Sequence, residues 1–205
     1  MMDNDWTKKF KKRFAFLSPR ESADCIAFNC PASNLLELGE ALAQKEGFDL
    51  LVDLTAVDWG EESSPRFSTV CHFYSLSFKN YLRIVIDCSN NVEPEIPSLA
   101  TLFPGADWHE REVFDMFGIR FSNHPNLKRI LMWDGYPHFP LRKDFPLAGE
   151  PTELPAADVA EDTGVSVLPA PMMGGPFVAP SEGHVSQSEP RGKDQSWTEE
   201  RGKPR

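Results

Sequence analysis

His109, Glu110, Glu112 and Asp115 crowd one short stretch of this chain, and these side chains can bind a metal or trade protons. His109 and Glu112 stand three apart and would share a helix face. A zincin helix, however, needs a second histidine four residues after the first, and Val113 occupies that position. A helix this rich in Glu and Arg reads more simply as a solvated or interfacial face. The four cysteines, Cys25, Cys30, Cys71 and Cys88, form no CxxC pair, and Ser33 stands where a plant-type iron–sulfur pattern requires a third thiolate. They read as reduced thiols. His72, within a strand-like run, reads as a packed or hydrogen-bonded histidine. No GxSxG, P-loop or GxGxxG is present in a usable context. The residues themselves point to no active site, no bound cofactor and no metal.

Composition narrows the classes further. The 205 residues carry 31 acidic against 21 basic side chains, a formal charge of -10. That balance argues against a nucleic-acid partner, which would need a basic footprint. No apolar run approaches the roughly 20 residues of a membrane span. The basic N-terminal stretch lacks the apolar segment of a secretory signal.

The elements that would position these residues read as α+β, a small mixed sheet with helices on one face. Trp6, Phe10 and Phe14 recur at helical spacing among lysines. Such a basic amphipathic helix can lie on a membrane, though packing on the protein's own core is the simpler reading. Residues 25–28 suggest a short strand, and Ser33 or Asn34 can cap a helix through Ala43 that ends at Gly47. Phe48, Leu50, Val52 and Leu54 alternate with Asp49, Asp53 and Thr55 as a strand with its apolar side inward. Residues 67–76 and 81–88 form a hairpin through the 77–80 link. Residues 105–117 read as a helix stopped by Gly118. Eleven of the 18 prolines follow Tyr136, and periodicity ends near Gly149. The expected division is therefore a folded domain over residues 1–148 and an extended or disordered tail over 149–205. Apolar residues spaced along the tail, Phe177 and Trp197 among them, suit an arm that wraps a partner.

Between Trp108 and Leu147 lies a concentration of aromatic, Arg and Pro residues, the types that dominate protein–protein hot spots. Pro140-Leu141-Arg142-Lys143-Asp144-Phe145-Pro146 reads as an extended run with few local contacts, ordered by what it docks on. Arg142 and Asp144 are expected to make charge-assisted bonds across a subunit interface.

Glu110-Arg111-Glu112-Val113-Phe114-Asp115-Met116-Phe117-Gly118-Ile119, then His124-Pro125, Arg129-Ile130-Leu131 and the Pro140–Leu147 series together resemble the signature of the respiratory complex I 30-kDa subunit family. Asp53-Leu54-Thr55-Ala56-Val57-Asp58 and the hairpin after it are similar to that family too. Lys128, where Arg is common, and Phe139, where His is frequent, are minor departures. The resemblance implies a cofactor-free subunit of the peripheral arm of NADH:quinone oxidoreductase, peripheral on the cytoplasmic face of the bacterial membrane. Its implied neighbours are the D-type subunit, of the 49-kDa class, and the B-type subunit, which carries the terminal iron–sulfur cluster. FMN and Fe–S clusters would reside elsewhere in the complex, and membrane association would come through partners. The implied interface residues are Glu110, Arg111, Glu112, Asp115, Phe117, Gly118, His124, Pro125, Arg129, Pro140, Leu141, Arg142, Lys143, Asp144 and Phe145. The same fold could instead serve a membrane-bound hydrogenase or a ferredoxin-driven relative of complex I.

Overall fold

The structure, a computed structural model, describes residues 4–146; the tail expected after residue 148 lies outside the described residues. Its elements in order are α1 (Asn4–Arg13), β1 (Ser18–Arg20), β2 (Ile26–Asn29), a 3-10 turn (Ala32–Asn34), α2 (Leu35–Gln44), β3 (Leu50–Asp58), β4 (Phe67–Ser75), β5 (Asn80–Asp87), β6 (Glu95–Pro97), α3 (Ala106–Phe117) and β7 (Arg120–Ser122). The main sheet runs β1-β2-β5-β4-β3, and β6 pairs with β7 in a separate two-stranded ribbon. β2 lies parallel to β5 while the other main-sheet pairings are antiparallel, so the sheet is mixed. The chain divides into two compact units. One holds every element just named together with Leu141–Lys143. The other begins with Trp133–Pro140 and resumes at Asp144.

Alternation along the strands builds the core. Phe67, Cys71 and Phe73 of β4 and Leu82, Ile84 and Ile86 of β5 are fully buried. They join Leu35, Leu38 and Leu42 of α2 and Val113, Met116 and Phe117 of α3 in one apolar cluster. α1 belongs to that cluster through Phe10 and Phe14, with Trp6 stacked on Phe10 at 4.5 Å and tilted against Phe48 at 6.0 Å. The apolar face of the basic helix is thus satisfied by the protein itself. α2 ends where Gly47 takes a left-handed φ of 71°, and α3 ends at Gly118 with φ 74°, whose N–H reaches the Phe114 carbonyl.

β3 departs from the expected alternation. Leu51 pairs with Phe73 but Asp53 pairs with His72, so Val52 is an extra residue bulged out of the ladder. One extra residue reverses which side chains face inward upstream of it. Leu51 and Leu54 are therefore buried, whereas Leu50 and Val52 are exposed, against the expectation for both.

The three short strands β1, β6 and β7 were too brief to announce themselves by periodicity. All four cysteines are unpaired thiols. Burial pushes Cys30 up to about 12 and Cys88 up to about 11, so neither is a thiolate at neutral pH. If the core holds α1, Phe10→Ala should cost about 3–5 kcal/mol in denaturant unfolding. Lys12→Ala, on the exposed side of the same helix, should change stability by less than about 0.5 kcal/mol.

Candidate partner interface

α3 carries the charged signature, and its stop at Gly118 throws the chain back across its own surface. Asp115, one helical turn after Arg111, is completely buried. Its Oδ2 accepts three successive amide N–H groups, from Ile130 at 2.9 Å, Leu131 at 2.7 Å and Met132 at 2.9 Å. Its Oδ1 takes Arg129 Nη1 at 2.6 Å, and the same nitrogen donates to the Asp115 carbonyl at 3.0 Å. Burial works against this charge, but the Met132 amide, the Arg129 guanidinium and the other two amides outweigh it and hold the carboxyl below its ordinary range. The Arg129-Ile130-Leu131 series is therefore a concave run of donors wrapped around one carboxylate.

Glu110, one turn before Phe114, is equally buried but differently solvated. Its Oε2 accepts Ser98 Oγ and its Oε1 accepts the Leu99 amide, both at 2.6 Å, tying α3 to the turn after β6. Burial, reinforced by the negative charge of Asp107 and only partly opposed by these two hydrogen bonds, pushes it up to about 7. His124, its side chain fully enclosed, lies 3.9 Å from Glu110 Oε2 and 3.2 Å from Asp107 Oδ1. The Asn126 amide donates to His124 Nδ1 at 3.0 Å, which places the imidazole proton on Nε2, facing Asp107.

The segment Leu141–Lys143 is fastened by the same logic. The Leu141 amide bonds the Met116 carbonyl at 3.1 Å and Arg142 Nε bonds the Phe117 carbonyl at 2.6 Å. The Lys143 amide reaches Asp58 Oδ2 at 2.8 Å. Asp58 also accepts a two-point contact from Arg66, at 3.0 and 2.8 Å, and the Gly60 amide at 2.9 Å. The guanidiniums of Arg66 and Arg142 both lie over the Phe67 ring, at 4.7 and 5.1 Å from its centroid. The run expected to be extended is instead a series of turns and bends, and its hydrogen bonds reach distant acceptors in the same chain at Met116, Phe117 and Asp58. Asp58 and Arg66 were missed as positioning residues; the one available signal was the pair of aspartates bounding Asp53–Asp58.

Of the other signature residues, Phe117 and Gly118 are buried and close the end of α3, and Pro125 is exposed beside His124. Glu112, Leu141 and Lys143 are exposed. Arg111 is half-buried, donating to the Lys128 carbonyl at 3.1 Å while its guanidinium lies 5.1 Å from the Trp108 ring centroid. Trp108 itself is 62% exposed and Leu131 60%. The expectation of a solvated helix face therefore holds for Trp108 and Glu112 but not for Glu110 and Asp115, which the returning chain covers. In the second unit, Trp133 meets Tyr136 edge-on at 4.6 Å, and His138 links Tyr136 to Phe145, each at 5.6 Å. Pro140 is half-buried and Asp144 exposed. Among the described residues, no group of three or more His, Cys, Asp or Glu is arranged to hold a metal.

Because folding raises Glu110 from about 4.5 to about 7, the folded state binds the extra proton across that interval. Its contribution is fully present below pH ~4.5 and is lost as pH rises through ~7, by on the order of 3 kcal/mol. Glu110→Gln mimics the protonated acid, donating to Ser98 and accepting from Leu99. Unfolding free energies across pH 5–8 should fall less steeply for this variant than for the wild type; parallel curves would show that Glu110 stays ionised.

Comparison with known proteins agrees with this geometry. The profile of the family "Respiratory-chain NADH dehydrogenase, 30 Kd subunit" matches residues 28–151. The C-type subunit of the NADH-quinone oxidoreductase of Moorella thermoacetica is 42% identical over 149 residues, 73% of this chain and 98% of that protein. The second C-type subunit of Rhizobium meliloti is 45% identical over 130 residues, 62% of this chain and 70% of that one. A fused C/D subunit of Sulfurihydrogenibium is 40% identical over 152 residues; these are 73% of this chain but 26% of the fusion. Among solved structures, the Nqo5 trypsin-resistant fragment superposes with a TM-score of 0.52 at 23% identity, covering 60% of this chain and 98% of the fragment. A chain of the archaeal membrane-bound sulfane sulfur reductase superposes with a TM-score of 0.60 at 20% identity, covering 78% of this chain and 91% of that one; both share the fold. With the family profile spanning residues 28–151 and a C-type relative 42% identical over 98% of its own length, this chain belongs to the 30-kDa subunit family of the respiratory-chain NADH dehydrogenase.

Proposed function

We propose that this chain is a structural subunit of the peripheral arm of NADH:quinone oxidoreductase, holding no cofactor of its own and docking on the D-type subunit, of the 49-kDa class, and on the B-type subunit. The assembled enzyme would carry electrons from NADH through FMN and Fe–S centres to quinone and couple this to proton translocation, at the cytoplasmic face of the bacterial membrane. No described helix is long and apolar enough to cross a membrane, so attachment would come through the partners.

One observation carries this reading: the signature is divided between two jobs. Glu110, Asp115, His124, Arg129 and Arg142 spend hydrogen bonds inside the chain. That bonding rigidifies a surface on which Trp108, Glu112, Leu131, Leu141 and Lys143 stand exposed. A tryptophan stacked under an arginine that is itself fixed by two backbone carbonyls has little conformational freedom left to lose on binding. Exposed aromatic anchors of this kind dominate interface energetics. The fused C/D relative supports the D-type subunit as a neighbour, since the two parts share one chain there. The alternative, a subunit of a membrane-bound hydrogenase or a ferredoxin-driven relative, is less favoured, because the curated relatives described above are subunits of NADH-quinone oxidoreductases.

Affinity purification of a tagged chain from its host should bring down D-type and B-type subunits with NADH:quinone activity. Trp108→Ala should lower the co-purified fraction by a factor on the order of 30, as expected for a hot spot worth about 2 kcal/mol. The melting temperature of the isolated chain should hardly move, because this side chain is exposed. A chain that purifies alone from active membranes contradicts the proposal.

A further inference from the structure

The bulge at Val52 has a consequence on the side of the sheet that carries Asp53. By displacing one residue it brings Asp53 opposite His72, which in turn sits opposite Arg83, in a transverse row across β3, β4 and β5. Arg83 is already engaged. It makes a two-point contact with Asp24 at 3.0 and 2.7 Å, reaches Ser22 Oγ at 3.0 Å, and donates from Nε to His72 Nε2 at 2.8 Å. His72 is therefore neutral with its proton on Nδ1, facing Asp53. The Asp53 side chain, by contrast, is 48% exposed, and neither histidine beside it comes closer than 3.5 Å: His72 Nδ1 stands at 3.5 Å and His109 Nδ1 at 3.9 Å. Among the described residues, the row cancels its own charge everywhere except at Asp53.

Asp24, Cys25, Asp53, His72 and Arg83 line a recess of about 380 Å³, open to solvent, whose apolar walls are Val52 and Tyr81. Tyr81 is 45% exposed and packs on Tyr74, with ring centroids 4.8 Å apart. Leu50, exposed, extends the apolar margin beside Tyr74. An anion is excluded by chemistry, because Asp24, Ser22 and His72 already take most of the Arg83 donors. A metal is disfavoured too, because the His72 nitrogen nearest Asp53 carries a proton and has no lone pair to give. What complements a single half-exposed carboxylate between a valine and a tyrosine ring is a cation on an aliphatic stem. A surface of exposed aromatic and aliphatic side chains around such a site suits a protein partner better than a small solute.

We propose that this open sheet face is a second docking surface, and that it receives a lysine or arginine side chain of a neighbouring protein subunit, its charged head on Asp53 and its stem between Val52 and Tyr81. The proposal rests on the reading of this chain as a subunit of a larger assembly.

The test uses the assembled complex, purified through a tagged full-length chain carrying the photoreactive substitution Tyr81→p-benzoylphenylalanine. Irradiation should cross-link position 81 to another subunit, at a peptide containing Lys or Arg. In chains without the photoreactive group, Asp53→Asn should release the chain at raised salt about tenfold faster, and Asp53→Glu should largely restore retention. Three results would overturn the docking site while leaving the subunit reading intact: no inter-subunit cross-link, a cross-link to a peptide lacking a basic residue, or unchanged retention of Asp53→Asn in a complex that still co-purifies. A chain that co-purifies with no other subunit removes both.

Discussion

The Asp115 carboxylate is the constraint on which the path of the chain after α3 depends. It is a charge removed from water, and the chain after α3 follows the need to solvate it. Three consecutive amides and one guanidinium converge on it. A buried carboxylate left without such partners would be costly, so the path of residues 129–132 is not optional. Glu110 repeats the principle with neutral donors and holds the turn after β6. Asp58 repeats it once more and fixes the backbone at Lys143. Three carboxylates thus position three irregular segments that have no ladder or helix of their own.

Several charged residues of the signature are thus turned inward, where they hold the fold. Charge inside a protein is more often an organising device than a reactive one, and here buried carboxylates hold the irregular backbone at residues 129–132 and at Lys143. Side chains that remain outward, Trp108 and Leu131 foremost, are held at defined positions by that internal bonding. Rigid presentation lowers the entropy cost of association. On the proposed reading, the motif contributes to docking largely through residues that need touch no partner.

Much of the fold could be read in the sequence because long elements announce themselves. The β4–β5 hairpin, α3 with its glycine stop, and α1 with its three aromatic residues all follow from periodicity and termini. The Val52 bulge could not be read that way, since Leu50, Val52 and Leu54 alternate as well as any regular strand; only pairing with β4 reveals the extra residue. Residue types alone also left the direction of Glu110 and Asp115 undecided. A helix carrying Glu, Arg and Asp looks solvated until another segment folds over it; for Asp115 that segment lies 14 to 17 positions downstream, for Glu110 11 to 12 upstream. The resemblance singled out these residues, while their inward roles required coordinates. Pro140–Lys143 misled for a related reason: prolines suggest an extended chain, but acceptors at Met116, Phe117 and Asp58 bend it into turns.

Whether Asp115 organises the returning chain can be measured by amide hydrogen exchange on the purified protein. The amides of Ile130, Leu131 and Met132 lie outside any helix or strand, so their protection should come from this carboxylate. All three should exchange slowly in the wild type and at least about tenfold faster in Asp115→Ala, where no acceptor remains, while the amides of β4 and β5 stay protected. Unchanged protection of residues 130–132 in that variant would contradict an organising role for Asp115.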